Sequence, residues 1–129
     1  MLNTPPCYAI YMCGLMFDWV KNGGGIAAQH EASLAKSKAL YDAFEASEGY
    51  YVSKNNPKFR SRMNLPFFIK GGNEELEAKF KKEAAAAGFV ELGGHRSVGG
   101  LRASIYNGMT KEGVDKLVEF MNTFKGQNS

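Results

Sequence analysis

The sequence predicts an α/β chain of the α+β kind, with long N-terminal helices followed by a small, mainly antiparallel sheet packed with helices. Three observations predict it. Two helix-length segments precede any strand signal, the strand-like segments then fall in neighbouring pairs with a helix between the pairs, and the composition suits one core. With 129 residues, 44% hydrophobic and 22% charged, the chain is too short for two ordinary domains and too apolar for disorder.

The first helix is expected from Pro5 to about Lys21. Thr4 is placed to cap it and Pro5 to occupy its first position, where a missing N–H costs nothing. Tyr8, Ile10, Tyr11, Met12, Leu15, Met16, Phe17, Trp19 and Val20 cover every face, so this helix needs cover on several sides. A small domain rarely encloses a helix so fully, which points to a partner subunit or a larger domain. The apolar run from Cys7 to Val20 is shorter than a bilayer span and holds Gly14 and Asp18, and no basic segment precedes it as in a signal peptide. Structure that begins this early reads as the continuation of something longer.

Asn22-Gly23-Gly24-Gly25 ends the first helix, and a surface helix follows from about Ile26 to Ala46, with Ala27, Leu34, Tyr41 and Phe44 on one stripe. Tyr50 to Val52 is rich in β-forming residues, and a second strand is expected from about Arg62 to Ile69, with Pro66 placing it at an edge or a bulge. Asn73 caps the next helix, Glu74, Glu75 and Glu77 complement its positive end, and Gly88 terminates it. Phe89 to Leu92 reads as a strand, and Leu101, Ala103 and Ile105 alternate with Arg102, Ser104 and Tyr106 in another. Thr110 caps a last amphipathic helix through Val114, Leu117, Val118, Met121 and Phe124.

Sixteen Lys and Arg against thirteen Asp and Glu leave a net charge of +3, too small and scattered for nucleic-acid binding but compatible with a small anionic ligand. Cys7 and Cys13 lack redox or metal spacing and read as reduced thiols of a cytoplasmic protein. His30 has no second ligand at metal spacing, and no Ser/His/Asp set is visible.

The segment from Gly93 to Ser104 carries the chemistry. Four glycines, Gly93, Gly94, Gly99 and Gly100, flank His95-Arg96-Ser97-Val98 and lead into a strand with a second arginine, Arg102. Glycines let a backbone approach a ligand closely, and a guanidinium fork matches a carboxylate or phosphate. A hairpin with solvated arginines would show the same glycines; Arg102, set between apolar neighbours at a strand start, weighs against that reading. Asn3-Thr4-Pro5-Pro6, at a helix N-terminus, is a second candidate phosphate site, and Arg60-Ser61-Arg62 either an anion contact or a solvated strand edge.

Asn3-Thr4-Pro5-Pro6, Ser61-Arg62-Met63-Asn64 with Pro66-Phe67, and above all Gly94-His95-Arg96-Ser97-Val98-Gly99-Gly100-Leu101-Arg102-Ala103-Ser104-Ile105-Tyr106-Asn107 closely resemble the C-terminal third of the phosphoserine aminotransferases. The resemblance runs from Asn3 to about Phe124. It implies the C-terminal domain of a fold type I, homodimeric, pyridoxal-phosphate-dependent enzyme that moves an amino group from glutamate to 3-phosphohydroxypyruvate, giving phosphoserine and 2-oxoglutarate in serine biosynthesis. By similarity, Arg102 holds the substrate α-carboxylate, His95 and Arg96 meet the distal phosphate or carboxylate, and Asn3 and Thr4 reach the cofactor phosphate in the neighbouring subunit.

The same resemblance makes residues 1–47 the interdomain and dimer-side helices and 48–129 the small domain. It puts the cofactor-linking lysine, and the carboxylate that pairs with the pyridine nitrogen, in a large domain upstream of this chain. No catalytic residue and no metal ligand is then expected here, and this chain alone should not transaminate. Every lysine present reads as lying on a polar helix face or a loop. The competing reading is a non-catalytic, anion-binding regulatory module that retains the glycine-rich loop. Neither nucleic acid nor membrane is an expected partner.

Overall fold

The computed structural model describes residues 2–129. Contacts divide the chain into two compact units, one running to Ala32 and the other from Ser33 to Ser129. The division falls inside a helix, earlier than the boundary at residue 47 drawn from function.

In the first unit, helix α1 spans Cys7–Asn22 and starts two residues later than expected, with Pro6 at the N-cap and no side-chain cap from Thr4. The reason is steric. Thr4 and Pro5 each precede a proline, and the ring of the following proline disfavours helical backbone at the residue before it. No residue of α1 is buried; Tyr8 is 77% and Phe17 70% exposed. Cys7 and Cys13 are free and exposed. Gly24 and Gly25, at φ of 91° and 75°, turn the chain into helix α2, Gly25–Ala46.

From Ser33 onward α2 belongs to the second unit, where its buried side chains are Ser33, Lys36, Ser37, Leu40, Tyr41 and Phe44. The expected stripe is only half right: Tyr41 and Phe44 are buried, but Ala27 and Leu34 are exposed. Polar groups replace them because each has a hydrogen-bond partner. Lys36, 2% exposed, donates from Nζ to the carbonyls of Tyr106 and Met109, each at 2.8 Å, and Ser37 Oγ donates to the Ser33 carbonyl at 2.9 Å. Burial holds the Lys36 amine below the ordinary lysine range. The expectation that every lysine lies on a polar face or loop therefore fails at Lys36.

The sheet has three antiparallel strands in the order β1 (Tyr51–Val52), β2 (Asn64–Ile69) and β3 (Leu101–Ser104). Tyr51 faces Ile69 across β1 and β2; Asn64, Leu65, Pro66 and Phe67 face Ser104, Ala103, Arg102 and Leu101 across β2 and β3. Pro66 thus sits in the central strand, against the edge or bulge expected. The register explains why it is tolerated. Arg102 donates its backbone N–H away from β2, to the Leu92 carbonyl at 2.8 Å, so Pro66 and Arg102 form a non-hydrogen-bonded pair. The missing N–H of Pro66 then faces the side where β1, paired only with Phe68 and Ile69, does not reach.

Residues 89–92 are also not the expected strand. Glu91 adopts φ 59°, which breaks an extended run, and pairing there reduces to one bridge between Gly93 and Leu101. Helices α3 (Glu74–Ala86) and α4 (Lys111–Gln127) form as read. Asn73 Oδ1 accepts from the Leu76 N–H at 3.0 Å and Thr110 Oγ1 from the Gly113 N–H at 3.1 Å, so both caps hold. Gly88 follows α3 at φ 89°.

Alternation along β2 sends Leu65, Phe67 and Ile69 into the core and Asn64, Pro66 and Phe68 to the opposite face. On the core side, α2, α3 and α4 converge through rings. Phe67 lies 5.1 Å from Phe44 and 6.0 Å from Phe80, and Phe80 lies 5.0 Å from Phe124. The Tyr51 hydroxyl donates to the Met121 carbonyl at 2.8 Å, and burial raises its pKa far above the usual phenol value. Phe80 is fully buried and joins the sheet to two helices, so Phe80→Ala should cost about 3–5 kcal/mol. Urea unfolding followed by circular dichroism checks this; a loss below about 1 kcal/mol would mean that the cluster does not hold the helices to the sheet.

Candidate anion-binding site

Leaving α3 at Gly88, the chain passes Glu91 and enters a tight loop over residues 93–100, closed by the Gly94 N–H donating to the Gly100 carbonyl at 3.0 Å. Inside it, the N–H groups of Val98 and Gly99 both donate to the His95 carbonyl, at 2.9 and 2.8 Å. Two glycines are obligatory. A Cβ on Gly94 would lie 2.0 Å from the Gly99 carbonyl oxygen, and one on Gly100, already at φ 72°, would meet the Phe68 ring at 2.7 Å.

This loop forms one wall of a cavity of about 620 Å³. His95 and Arg96 line it, facing Lys54, Phe68 and, from α3, Lys81 and Glu77. Lys54 is anchored there by its ammonium, 3.8 Å from the centre of the Phe68 ring. Glu77 is already engaged, accepting from the Ile69 N–H at 3.2 Å. The Ser97 N–H donates to His95 Nδ1 at 3.3 Å, with the Ser97 hydroxyl 2.7 Å from the same nitrogen. The N–H of Ser97 at Nδ1 fits the tautomer that carries its proton on Nε2, from which it can be donated to an anion. Glu74, from the first turn of α3, is a second carboxylate on the lining, so three cations and a histidine face two carboxylates, one of them engaged, and the balance of charge still suits an oxyanion.

Arg102 is not part of that wall. It stands on the sheet face opposite the core, two residues past Gly100 and across from Pro66, half-buried, with its Nε shielded from solvent and without a partner among the described residues. The structure thus brings His95 and Arg96 together at one cavity and sets Arg102 on the adjoining face. Lys54 and Lys81 carried no sequence signal, because a lone lysine in a loop and another on a polar helix look like solvated surface.

Arg60 is neither an anion contact nor a solvated edge. Its Nη1 donates to Glu45 at 2.8 Å and its guanidinium covers the Tyr41 ring at 4.6 Å, so it ties α2 to the loop before β2. In the first unit, Asn3 and Thr4 are exposed, but the helix end beside them is poorer in donors than expected. Pro5 and Pro6 have no N–H, and the Cys7 N–H is turned back to the Pro5 carbonyl at 2.8 Å. Among the described residues, no group of three or more His, Cys, Asp or Glu is placed to hold a metal ion, and no helix is long and apolar enough to cross a membrane.

The loop geometry predicts a sharp contrast between neighbouring glycines. Gly93 has open space where a side-chain methyl would stand and an ordinary φ, so Gly93→Ala should change stability by less than about 1 kcal/mol, whereas Gly94→Ala should reshape the loop and cost more than that. Thermal unfolding of the two variants and NMR shifts of the residue 93–100 amides check it; equal behaviour would contradict the close approach at Gly94.

A family model for aminotransferase class-V matches residues 1–117. A phosphoserine aminotransferase from Ralstonia nicotianae is 50% identical over 125 residues, covering 97% of this chain and 32% of that protein. One from Streptococcus agalactiae is 46% identical over 129 residues, covering 100% and 35%. Among solved structures, phosphoserine aminotransferase from Bacillus circulans subsp. alkalophilus superposes with a TM-score of 0.93 at 42% identity, over 98% of this chain and 35% of that one. The PLP-bound phosphoserine aminotransferase from Trichomonas vaginalis gives 0.86 at 40%, over 95% and 34%. The chain spans about a third of the length of the relatives it matches. From the family match across residues 1–117 and the shared fold, the chain belongs to the aminotransferase class-V family.

Proposed function

We propose that this chain forms the small-domain side of a phosphoserine aminotransferase active site, in a cytoplasmic homodimer that exchanges an amino group between glutamate and 3-phosphohydroxypyruvate. The observation that carries the reading is the division of the cationic groups. His95 and Arg96 line a cavity with Lys54 and Lys81, and Arg102 stands on the adjoining sheet face. A substrate with an anion at each end needs two such stations.

In this reading, Arg102 takes the α-carboxylate on its planar fork, which orients the substrate in a way the single point charge of a lysine does not. His95 donates from Nε2 and Arg96 from its guanidinium to the distal phosphate or side-chain carboxylate. The apolar surface of α1 lies toward a larger domain and a second subunit, consistent with the exposure of Tyr8 and Phe17. Residues 1–47 then serve as interdomain and dimer-side helices and 48–129 as the small domain.

Asn3 and Thr4 offer an amide and a hydroxyl that suit the phosphate of pyridoxal phosphate, and Thr4 is free for this because it does not cap α1. When bound, pyridoxal phosphate supplies the electron sink for moving the amino group. No lysine of this chain is suited to link to it; Lys36, the buried one, is committed to two carbonyls. The 129-residue chain therefore binds and orients substrate without catalysing transfer by itself. The alternative of a regulatory anion-binding module draws on the same cavity, which lies wholly within the second unit.

Kinetics of the complete enzyme containing this segment test the assignment. Arg102→Lys should weaken every amino- and keto-acid substrate by roughly 1.5–3 kcal/mol, the worth of one charged hydrogen bond. Arg96→Ala should lower kcat/KM for phosphoserine while leaving that for alanine nearly unchanged. If Arg96→Ala lowered both equally and Arg102→Lys affected only phosphoserine, the two stations would be interchanged; if neither variant changed either substrate, the regulatory module would be favoured.

A further inference from the structure

Two side chains on the open sheet face each keep a polar atom shut away from solvent without a hydrogen-bond partner among the described residues: Oδ1 of Asn64 and Nε of Arg102. One is an acceptor and the other a donor. Buried polar atoms in folded proteins are nearly always paired, so each such orphan calls for an explanation. The other two of this kind, Ser53 Oγ and Arg60 Nε, lie elsewhere, and the Arg60 guanidinium is already fixed by Glu45.

The register places the two together. Asn64 pairs with Ser104 and Pro66 with Arg102, so Asn64 and Arg102 are diagonal neighbours on one face of adjacent strands, about 7–8 Å apart at the backbone, a span that an arginine side chain crosses. The backbone of Asn64 is held independently, its N–H donating to Ser61 Oγ at 3.2 Å, while its side-chain Oδ1 has no partner among the described residues.

We propose that Asn64 is a positioning residue for Arg102, an inference that rests on the reading of Arg102 as the carboxylate contact. When a carboxylate engages the two terminal nitrogens of the guanidinium end-on, the Nε–H is left over at the side of the fork, and Asn64 Oδ1 accepts it. Both orphan atoms are satisfied in that state. The plane of the fork is fixed by a group that does not touch the ligand, which restricts rotation about the last bonds of the arginine.

The experiment uses the 129-residue chain, L-glutamate as the carboxylate probe and inorganic phosphate as the control, followed by NMR of the Arg102 Nε–H. In the unaltered chain glutamate should shift this resonance and slow its exchange with water. Asn64→Ala, and Asn64→Leu as a variant of similar volume, should weaken glutamate binding about fivefold and abolish the slowing. Asn64→Asp, which keeps an acceptor in the same place, should restore it. The phosphate response at His95 and Arg96 should be the same in all four proteins. An Arg102 response to glutamate that is undiminished in Asn64→Ala or Asn64→Leu would overturn the positioning role alone. The absence of any Arg102 response in the unaltered chain would overturn the carboxylate reading and the positioning role with it.

Discussion

The packing of Phe67 against Phe44 and Phe80 is the constraint on which the rest of the second unit depends. Because side chains alternate along a strand, fixing Phe67 inward also fixes Leu65 and Ile69 inward and turns Asn64, Pro66 and Phe68 outward. Pairing with β3 then carries the decision across: Leu101 and Ala103 are buried, and Arg102 is delivered to the open face. A slip of one residue would bury Arg102 and expose Phe67. The ring cluster therefore specifies which side chain of β3 reaches the open face, besides stabilising the fold.

The same outward turn shapes the cavity. Phe68 gives Lys54 an aromatic surface to rest on and presses so closely on residue 100 that only glycine fits there. The loop from Gly93 to Gly100 is thus built against the sheet, with internal hydrogen bonds of its own, and an anion would find its contacts largely preformed. Preorganisation of this kind matters because a flexible loop would have to give up conformational freedom on each binding event.

Elements with local signatures were legible in the sequence. Asn73 and Thr110 act as caps through hydrogen bonds to N–H groups three residues on, and the β3 alternation of Leu101 and Ala103 with Arg102 and Ser104 appears directly as burial. Features set by distant partners were not. Pro66 reads as an edge residue until the pairing with Arg102 shows that its missing N–H faces away from β3, beyond the reach of β1, and Phe89 to Leu92 reads as a strand until Glu91 turns out to have positive φ. The polar burial on α2 was hidden most deeply, because the carbonyls that receive Lys36 lie some seventy residues along the chain. At the candidate site, the glycine-rich loop and Arg102 stood out by residue type, whereas Lys54, Lys81 and Asn64 acquire meaning only from the surfaces they share.

The most direct measurement is a crystal structure of the complete enzyme containing this segment, with O-phosphoserine bound. The account predicts the phosphate within hydrogen-bond distance of His95 Nε2 and the Arg96 guanidinium, and the α-carboxylate on the fork of Arg102. A phosphate seated on Arg102, or a ligand that leaves the residue 93–100 loop untouched, would contradict it.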